Sequence, residues 1–203
     1  LNSGRVRDQW HTMTRTGSVP LLMQHIAQPM VEISPQDAAH YTIQHGGLAR
    51  IISPRGVMVA RVAVSDTQRP GSLFTPMHWN DGFARQGKVN NLVAPTVDPH
   101  SGQPESKQTA VRIAPWQPLW QGELLSRAPV MLPRHLHWWR KAAPGLHHLT
   151  LCGERLIQSA LLAWCQRQGW QIQVASLGDT WHLLAWHDGQ LMLGFWSSRT
   201  LPD

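Results

Sequence analysis

LARIISPRGVMVARVAVS, Leu48–Ser65, decides how the first half of this chain folds. Leu48–Ser53 is a short apolar run, and Ser53-Pro54-Arg55-Gly56 follows it with proline and glycine where a tight turn needs them. Val57–Ser65 is β-branched and mostly apolar on both of its alternating faces. A strand of that kind is covered on both sides, as inside a closed barrel. The same signals continue outward. Met30–Ser34 (MVEIS) reads as a short strand, and Ser34-Pro35-Gln36-Asp37 opens a helix. Ser34 can cap it, Pro35 suits the first helical position, and Asp37 can close a capping box at the positive end. The helix is expected over Pro35–Thr42, ended by Gly46-Gly47. Arg69-Pro70-Gly71 turns the chain again, and Ser72–Met77 (SLFTPM) makes a further strand. A strand, a short helix and a series of tightly turned strands predict a mainly β fold with helical inserts, a small barrel in place of a doubly wound sheet.

Two segments bracket this region and fit no regular period. The first, LNSGRVRDQWHTMTRTG (Leu1–Gly17), concentrates Thr12, Thr14, Thr16, Arg5, Arg7, Arg15, Trp10 and His11 between Gly4 and Gly17. Folded as a loop, it offers hydroxyls, backbone donors, flat rings and fixed positive charge. Those groups suit a large, flat, hydrogen-bonding ligand that ends in phosphates. A solvated basic arm is the plain alternative. The second is VNNLVAPTVDPHSGQPESKQTAVRI (Val89–Ile113).

GRVRDQWHTMTRTG, PMVEISPQDA, GGLARIISPRG, RPGSLFTPMHWND and the Val89–Ile113 segment together resemble the C-terminal pterin-dinucleotide-binding domain of the dimethyl sulfoxide reductase family of molybdenum enzymes, bacterial assimilatory nitrate reductases above all. The likeness covers roughly residues 1–114. Ser3 stands where threonine is common, Val93 replaces a threonine and Ser106 a phenylalanine. The resemblance implies a double-psi β-barrel that holds molybdopterin guanine dinucleotide. In that family two such cofactors chelate one molybdenum, and the reaction would be the two-electron reduction of nitrate to nitrite. Carried over residue by residue, Gly4, Arg5, His11, Thr12, Thr14 and Arg15 would contact one cofactor, Asn90 a pterin edge, and Lys107 a pterin or phosphate. His78, in PMHWND, is expected to hydrogen-bond or stack near a cofactor, or else to pack beneath the loop, and the same two options stand for His11. A formate dehydrogenase or periplasmic nitrate reductase is the alternative within the family. The molybdenum's protein ligand and an iron–sulfur cluster would lie in an N-terminal part outside this chain, which starts at Leu within a motif and is read as a fragment. The rest of that enzyme and an electron-donor protein would be its partners, in the cytoplasm.

Composition narrows the rest. With 203 residues there is length for a real core, but no run of about eighteen apolar residues, so no membrane partner is expected. Cys152 and Cys165 are the only cysteines, too few for a four-cysteine cluster and without CxxC spacing; flanking a helix, they could form one disulfide, but two reduced, buried thiols are expected. That sparse usage and the missing export signal fit a cytosolic address. The net charge of +6 raises nucleic acid as a partner, but the basic residues stand singly except near Arg134–Lys141. A nucleic-acid-binding barrel is therefore the distant alternative. His135 and His137, two apart, and the adjacent His147 and His148 lack metal-ligand spacing. No nucleophile–base pair is legible, so no catalytic residue is assigned and the chain is expected to be inactive alone.

From Trp116 onward the character changes, and every tryptophan except Trp10 and Trp79 lies there. Residues 115–146 read as a Pro-punctuated connector with one short helix around Leu132–Lys141. Residues 147–203 read as a Trp-rich β-α-β-β unit. It comprises a strand at His148–Leu151, a helix at Glu154–Gln168 and a strand at Trp170–Ala175. A hairpin through His187-Asp188-Gly189-Gln190 completes it. Its tryptophans fit core filling or an interface; stacking on single-stranded nucleic acid and docking an electron donor are the functional options.

Overall fold

The computed structural model describes residues 1–199. The chain is mainly β and divides into two compact units, Leu1–Gln117 and Pro118–Asp203.

The first unit carries β1 (Asn2–Gly4), α1 (Pro20–Met23), β2 (Met30–Ile33), α2 (Pro35–His40), β3 (Leu48–Ser53), β4 (Gly56–Val64), β5 (Leu73–Pro76), β6 (Ala84–Arg85) and β7 (Arg112–Trp116). One sheet runs in the order β1-β5-β2-β4-β3-β7. Most neighbours in it are antiparallel, but β1 runs parallel to β5 and β2 parallel to β4. Such pairings need long returns of chain. The β4 strand lies inside the sheet, and its Met58, Ala60 and Val62 join Val31, Ile33, Ala49 and Ile51 in one buried cluster. The β3–β4 turn closes with Ser53 opposite Gly56, and the Arg55 amide donates to Ser53 Oγ at 3.1 Å. Gly56 has to be glycine, because a Cβ there would sit 2.8 Å from the Asn91 carbonyl oxygen.

Helix α2 starts as its sequence indicates. Ser34 Oγ accepts from the Asp37 amide at 3.1 Å and donates to Asp37 Oδ2 at 2.9 Å. The same carboxylate oxygen accepts from the Gly71 amide at 2.7 Å and so ties the helix start to the β5 turn. The helix ends earlier than expected, at His40, and without a glycine. Thr42 takes the left-handed conformation (φ 54°), while the Ile43 amide reaches the Ala38 carbonyl at 2.8 Å and the Thr42 amide that of Ala39 at 3.3 Å. This is a Schellman stop with threonine in the glycine position.

The second unit carries β8 (Trp120–Ser126), β9 (His137–Lys141), β10 (His147–Gly153), α3 (Gln158–Arg167), β11 (Gln171–Leu177), β12 (Thr180–His187) and β13 (Gln190–Arg199). Its strands follow the order β11-β12-β13-β8-β10-β9, antiparallel throughout. Leu161, Trp164 and Cys165 of α3 pack with Trp120, Leu124, Leu151, Leu183 and Phe195 of the sheet. The supposed connector therefore supplies two strands of this sheet. Residues 137–141 form a strand where a helix was expected, and the cause is the period. His137 and Trp139 are buried while Trp138 and Arg140 are half-buried, an alternation of two. The β10-α3 pair is followed by three strands, β11, β12 and β13, which coincide with the strand and the two-stranded hairpin expected there, so the β-α-β-β label undercounts those elements by one strand.

Cys152 (β10) and Cys165 (α3) are both buried thiols. Burial pushes the Cys165 thiol up to about 11.

Candidate functional site

The opening segment is a folded loop pinned at both ends and in the middle. β1 aligns with β5 so that Gly4 stands opposite Pro76, and the Met77 amide donates to the Gly4 carbonyl at 2.9 Å. The chain just after β5, Met77–Asn80, then runs under the loop and holds it. The Val6 amide donates to His78 Nε2 at 2.9 Å, and His78 Nδ1 bonds the His11 carbonyl at 2.7 Å. Asn80 Nδ2 donates to the Thr12 carbonyl, and its Oδ1 accepts from the Gly82 amide at 2.8 Å.

Inside the loop, Thr16 Oγ1 accepts from the Trp10 amide at 3.3 Å and donates to Gln9 Oε1 at 2.7 Å; Gln9 Nε2 in turn donates to the Leu22 carbonyl at 3.1 Å. Met13 is wholly buried and acts as the apolar foot of the loop. His11 and Met13 both have positive φ, 39° and 60°, a conformation that side chains disfavour. Such residues persist where their surroundings over-determine them. Gly17 closes the loop against Phe83, whose ring would lie 2.5 Å from an added Cβ.

With these groups engaged inward, the outward face carries polar and charged groups whose described partners lie within the loop itself. Arg5 lies over the Trp10 ring at 4.9 Å, and Trp10 is 58% exposed with its edge to His11. His11, Thr12, Thr14 and Arg15 are exposed, with the two threonine hydroxyls 3.0 Å apart. Arg15 has no side-chain partner among the described residues. Two guanidiniums, paired hydroxyls and flat rings on one short loop suit an anionic group attached to a hydrogen-bonding ring system. Arg7 does not belong to this set, since it pairs with Asp8 at 3.0 Å and Asp8 also reaches His25 at 2.7 Å. The hydrogen bond from Arg7 is the main reason the Asp8 carboxyl is held below the usual range.

The closing segment returns to the same strand. Lys107 Nζ donates to the Ser3 carbonyl at 2.6 Å and Ser3 Oγ to the Ser106 carbonyl at 2.8 Å; the Leu1 nitrogen donates to the Thr109 carbonyl at 2.7 Å, and the Thr109 amide donates to the Leu1 carbonyl at 3.0 Å. Lys107 and Gly4 are thereby neighbours through β1. Asn90 stands exposed on the single turn Val89–Asn91, with Val89 and Leu92 buried beneath it. Its side chain has no hydrogen-bond partner among the described residues.

His78 is 0% exposed, and both its ring nitrogens are taken by backbone. Burial, seconded by the nearby charge of Arg5, moves its pKa below the ordinary imidazole value. Sequence reasoning missed Asn80, Gln9 and Thr16 as loop holders. Asn80 does lie in the quoted PMHWND stretch, but nothing in the sequence ties it to Thr12, 68 positions earlier. No group of histidine, cysteine, aspartate or glutamate among the described residues is arranged to hold a metal ion, and no described helix is long and apolar enough to cross a membrane.

Comparison with known proteins covers the unit that holds this loop. Residues 1–110 match the molydopterin dinucleotide binding domain. Over its full length the chain is 64% identical to a nitrate reductase of Klebsiella oxytoca, 23% of which it spans. It is 39% identical over 113 residues to the periplasmic nitrate reductase of Desulfovibrio desulfuricans, covering 56% of this chain and 14% of that protein. It is 32% identical over 113 residues to the F420-dependent formate dehydrogenase subunit alpha of Methanocaldococcus jannaschii, covering 56% of this chain and 16% of that one. The chain thus spans less than a quarter of the length of these relatives. A glycine-bracketed loop pinned from beneath and a family match that contains it lead to one conclusion: the chain belongs to the molydopterin dinucleotide binding domain family.

Proposed function

We propose that this chain is the cofactor-holding C-terminal region of a molybdenum nitrate reductase of the assimilatory kind, working in the cytoplasm as part of a longer polypeptide. The observation that carries the reading is the pinned opening loop with Arg5, Thr12, Thr14 and Arg15 left outward and unengaged by other elements. The nitrate reductase matches give the reaction class, and the full-length match to the Klebsiella protein favours it over formate oxidation.

The donor set fits molybdopterin guanine dinucleotide. Arg5 and Arg15 would meet phosphate charge, and Thr12, Thr14 and His11 would meet ring and sugar oxygens and nitrogens. Gly4 would let the backbone come close, Asn90 would bond a pterin edge, and Lys107 would keep donors for a phosphate beside its bond to Ser3. In the bis form, the cofactor's metal would supply the two-electron exchange with nitrate. This chain's residues would bind and orient it, with an iron–sulfur cluster and an electron-donor protein serving it from elsewhere. A double-psi barrel is the closure we assign to the first unit; the parallel β1/β5 and β2/β4 pairs and the place of β4 between β2 and β3 inside the sheet support it.

The test is to assay the intact enzyme containing this chain for nitrate reduction and formate oxidation with an artificial electron carrier. Nitrate turnover without formate turnover is the expected result. Formate oxidation alone would replace the reading with its alternative.

A further inference from the structure

We infer that His78 is a positioning residue: as a neutral imidazole protonated on Nδ1 it fixes the Gly4–Thr12 arc in the shape that turns Arg5, Thr12 and Arg15 outward. The tautomer follows from the partners. A backbone N–H can only donate, so the Val6 amide at 2.9 Å requires a lone pair on Nε2. The ring proton must then sit on Nδ1, where it donates to the His11 carbonyl at 2.7 Å. One side chain therefore ties a donor and an acceptor five residues apart, on either side of Trp10. The far anchor is the carbonyl of His11, whose own φ of 39° is disfavoured. Asn80 secures the next carbonyl, that of Thr12.

A second proton on the ring would point an N–H at the Val6 N–H. The charges of Arg5 and the His11 ring also oppose that proton, while the bond to the His11 carbonyl favours it without reversing the direction. The folded pKa lies below the ordinary value of 6.5 chiefly because the ring is buried. The sign follows by linkage. In the unfolded loop His78 takes up its proton near the ordinary value, whereas in the folded loop it does so only at lower pH. The clamp is thus fully effective above about pH 6.5 and is lost as pH falls through the lowered value.

The test uses amide hydrogen exchange of the loop in the full 203-residue chain, corrected for intrinsic rates, at about pH 7.5 and about pH 5.5. In the unaltered chain, protection of the Val6 amide should fall roughly tenfold on acidification, as expected for one buried hydrogen bond. His78→Gln can offer a carbonyl to Val6 and an amide to His11 without titrating, so it should keep protection and lose the pH step. His78→Ala should be poorly protected at both values. Should His78→Ala fail to fold, His78→Gln and the ¹⁵N shifts of the unaltered His78 ring decide the matter. A pH-independent loop in the unaltered chain, the same pH step in His78→Gln, or a proton on Nε2 would overturn the proposal. Its consequence for cofactor binding rests on the function proposed above, and the two fail separately. Exchange as expected, with cofactor content of the intact His78→Ala enzyme unchanged, leaves the clamp standing and removes the binding role of the loop.

Discussion

Gly122, in the middle of β8, is the position where a single methyl group should do most harm. β8 is paired on one side with β13 and on the other with β10, so neither neighbour can move away freely. A Cβ at Gly122 would lie 2.4 Å from the Trp196 carbonyl oxygen, 3.0 Å from Ser197 Cβ and 3.1 Å from Ser197 Cα. All three atoms are backbone or directly attached to it, so no rotamer change relieves the contact. The β8–β13 ladder itself must open by several tenths of an ångström. Overpacking a core typically costs about 1–3 kcal/mol, and an unyielding backbone places Gly122→Ala near ~3 kcal/mol. For a unit of this size each kcal/mol lowers the melting temperature by about 4–8 °C, giving a fall of roughly 12–24 °C. The internal control is Gly194→Ala in β13, also buried, whose added Cβ would meet only Leu184 at an ordinary 3.5 Å. It should be neutral, or stabilise by up to about 1 kcal/mol through the unfolded state. Thermal unfolding followed by far-UV circular dichroism and tryptophan fluorescence reads both variants. Equal melting temperatures for the two would refute the reasoning, because close approach would then not be the reason for glycine at 122.

Thr42→Gly should stabilise the chain by about 0.5–1 kcal/mol in urea titration. It relieves a left-handed β-branched residue at an exposed helix stop, and part of that gain is offset by unfolded-state entropy. A loss of stability would contradict the assigned Schellman stop. Cys165, buried and with its thiol pushed up to about 11, should react with a disulfide reagent near pH 8 only as fast as the second unit opens, in step with added denaturant. Rapid labelling of the native chain would show a more open core than the one described.

Short-range chemistry was readable from the sequence, and long-range partnership was not. The Ser34–Asp37 cap, the turn at Pro54-Arg55 and the hairpin at Asp188-Gly189 (φ 47° and 74°) each depend on residues within a few positions of one another. β9 was misread because HLHWWRK, between prolines, has bulky residues dense enough to satisfy a helical stripe. Only its burial on alternate residues, set by pairing with β10, distinguishes the two. The opening loop resists such reading altogether. Its holders, His78 and Asn80, are brought beneath it by the parallel β1–β5 pairing, which no local pattern encodes. Motif resemblance, not period, pointed to it.

In the proposed function, Arg5 and Arg15 of the opening loop would grip the phosphates of a dinucleotide. Arg15→Ala in the intact enzyme removes a charge-assisted contact worth about 1.5–3 kcal/mol, hence roughly 10–100-fold in affinity. The measurement is guanine nucleotide and molybdenum released by acid per enzyme chain, with His187→Ala, an exposed residue of the second unit, as the comparison. Depletion of both in Arg15→Ala, with His187→Ala unaffected, is the predicted result; full and equally retained cofactor in the two variants would contradict it.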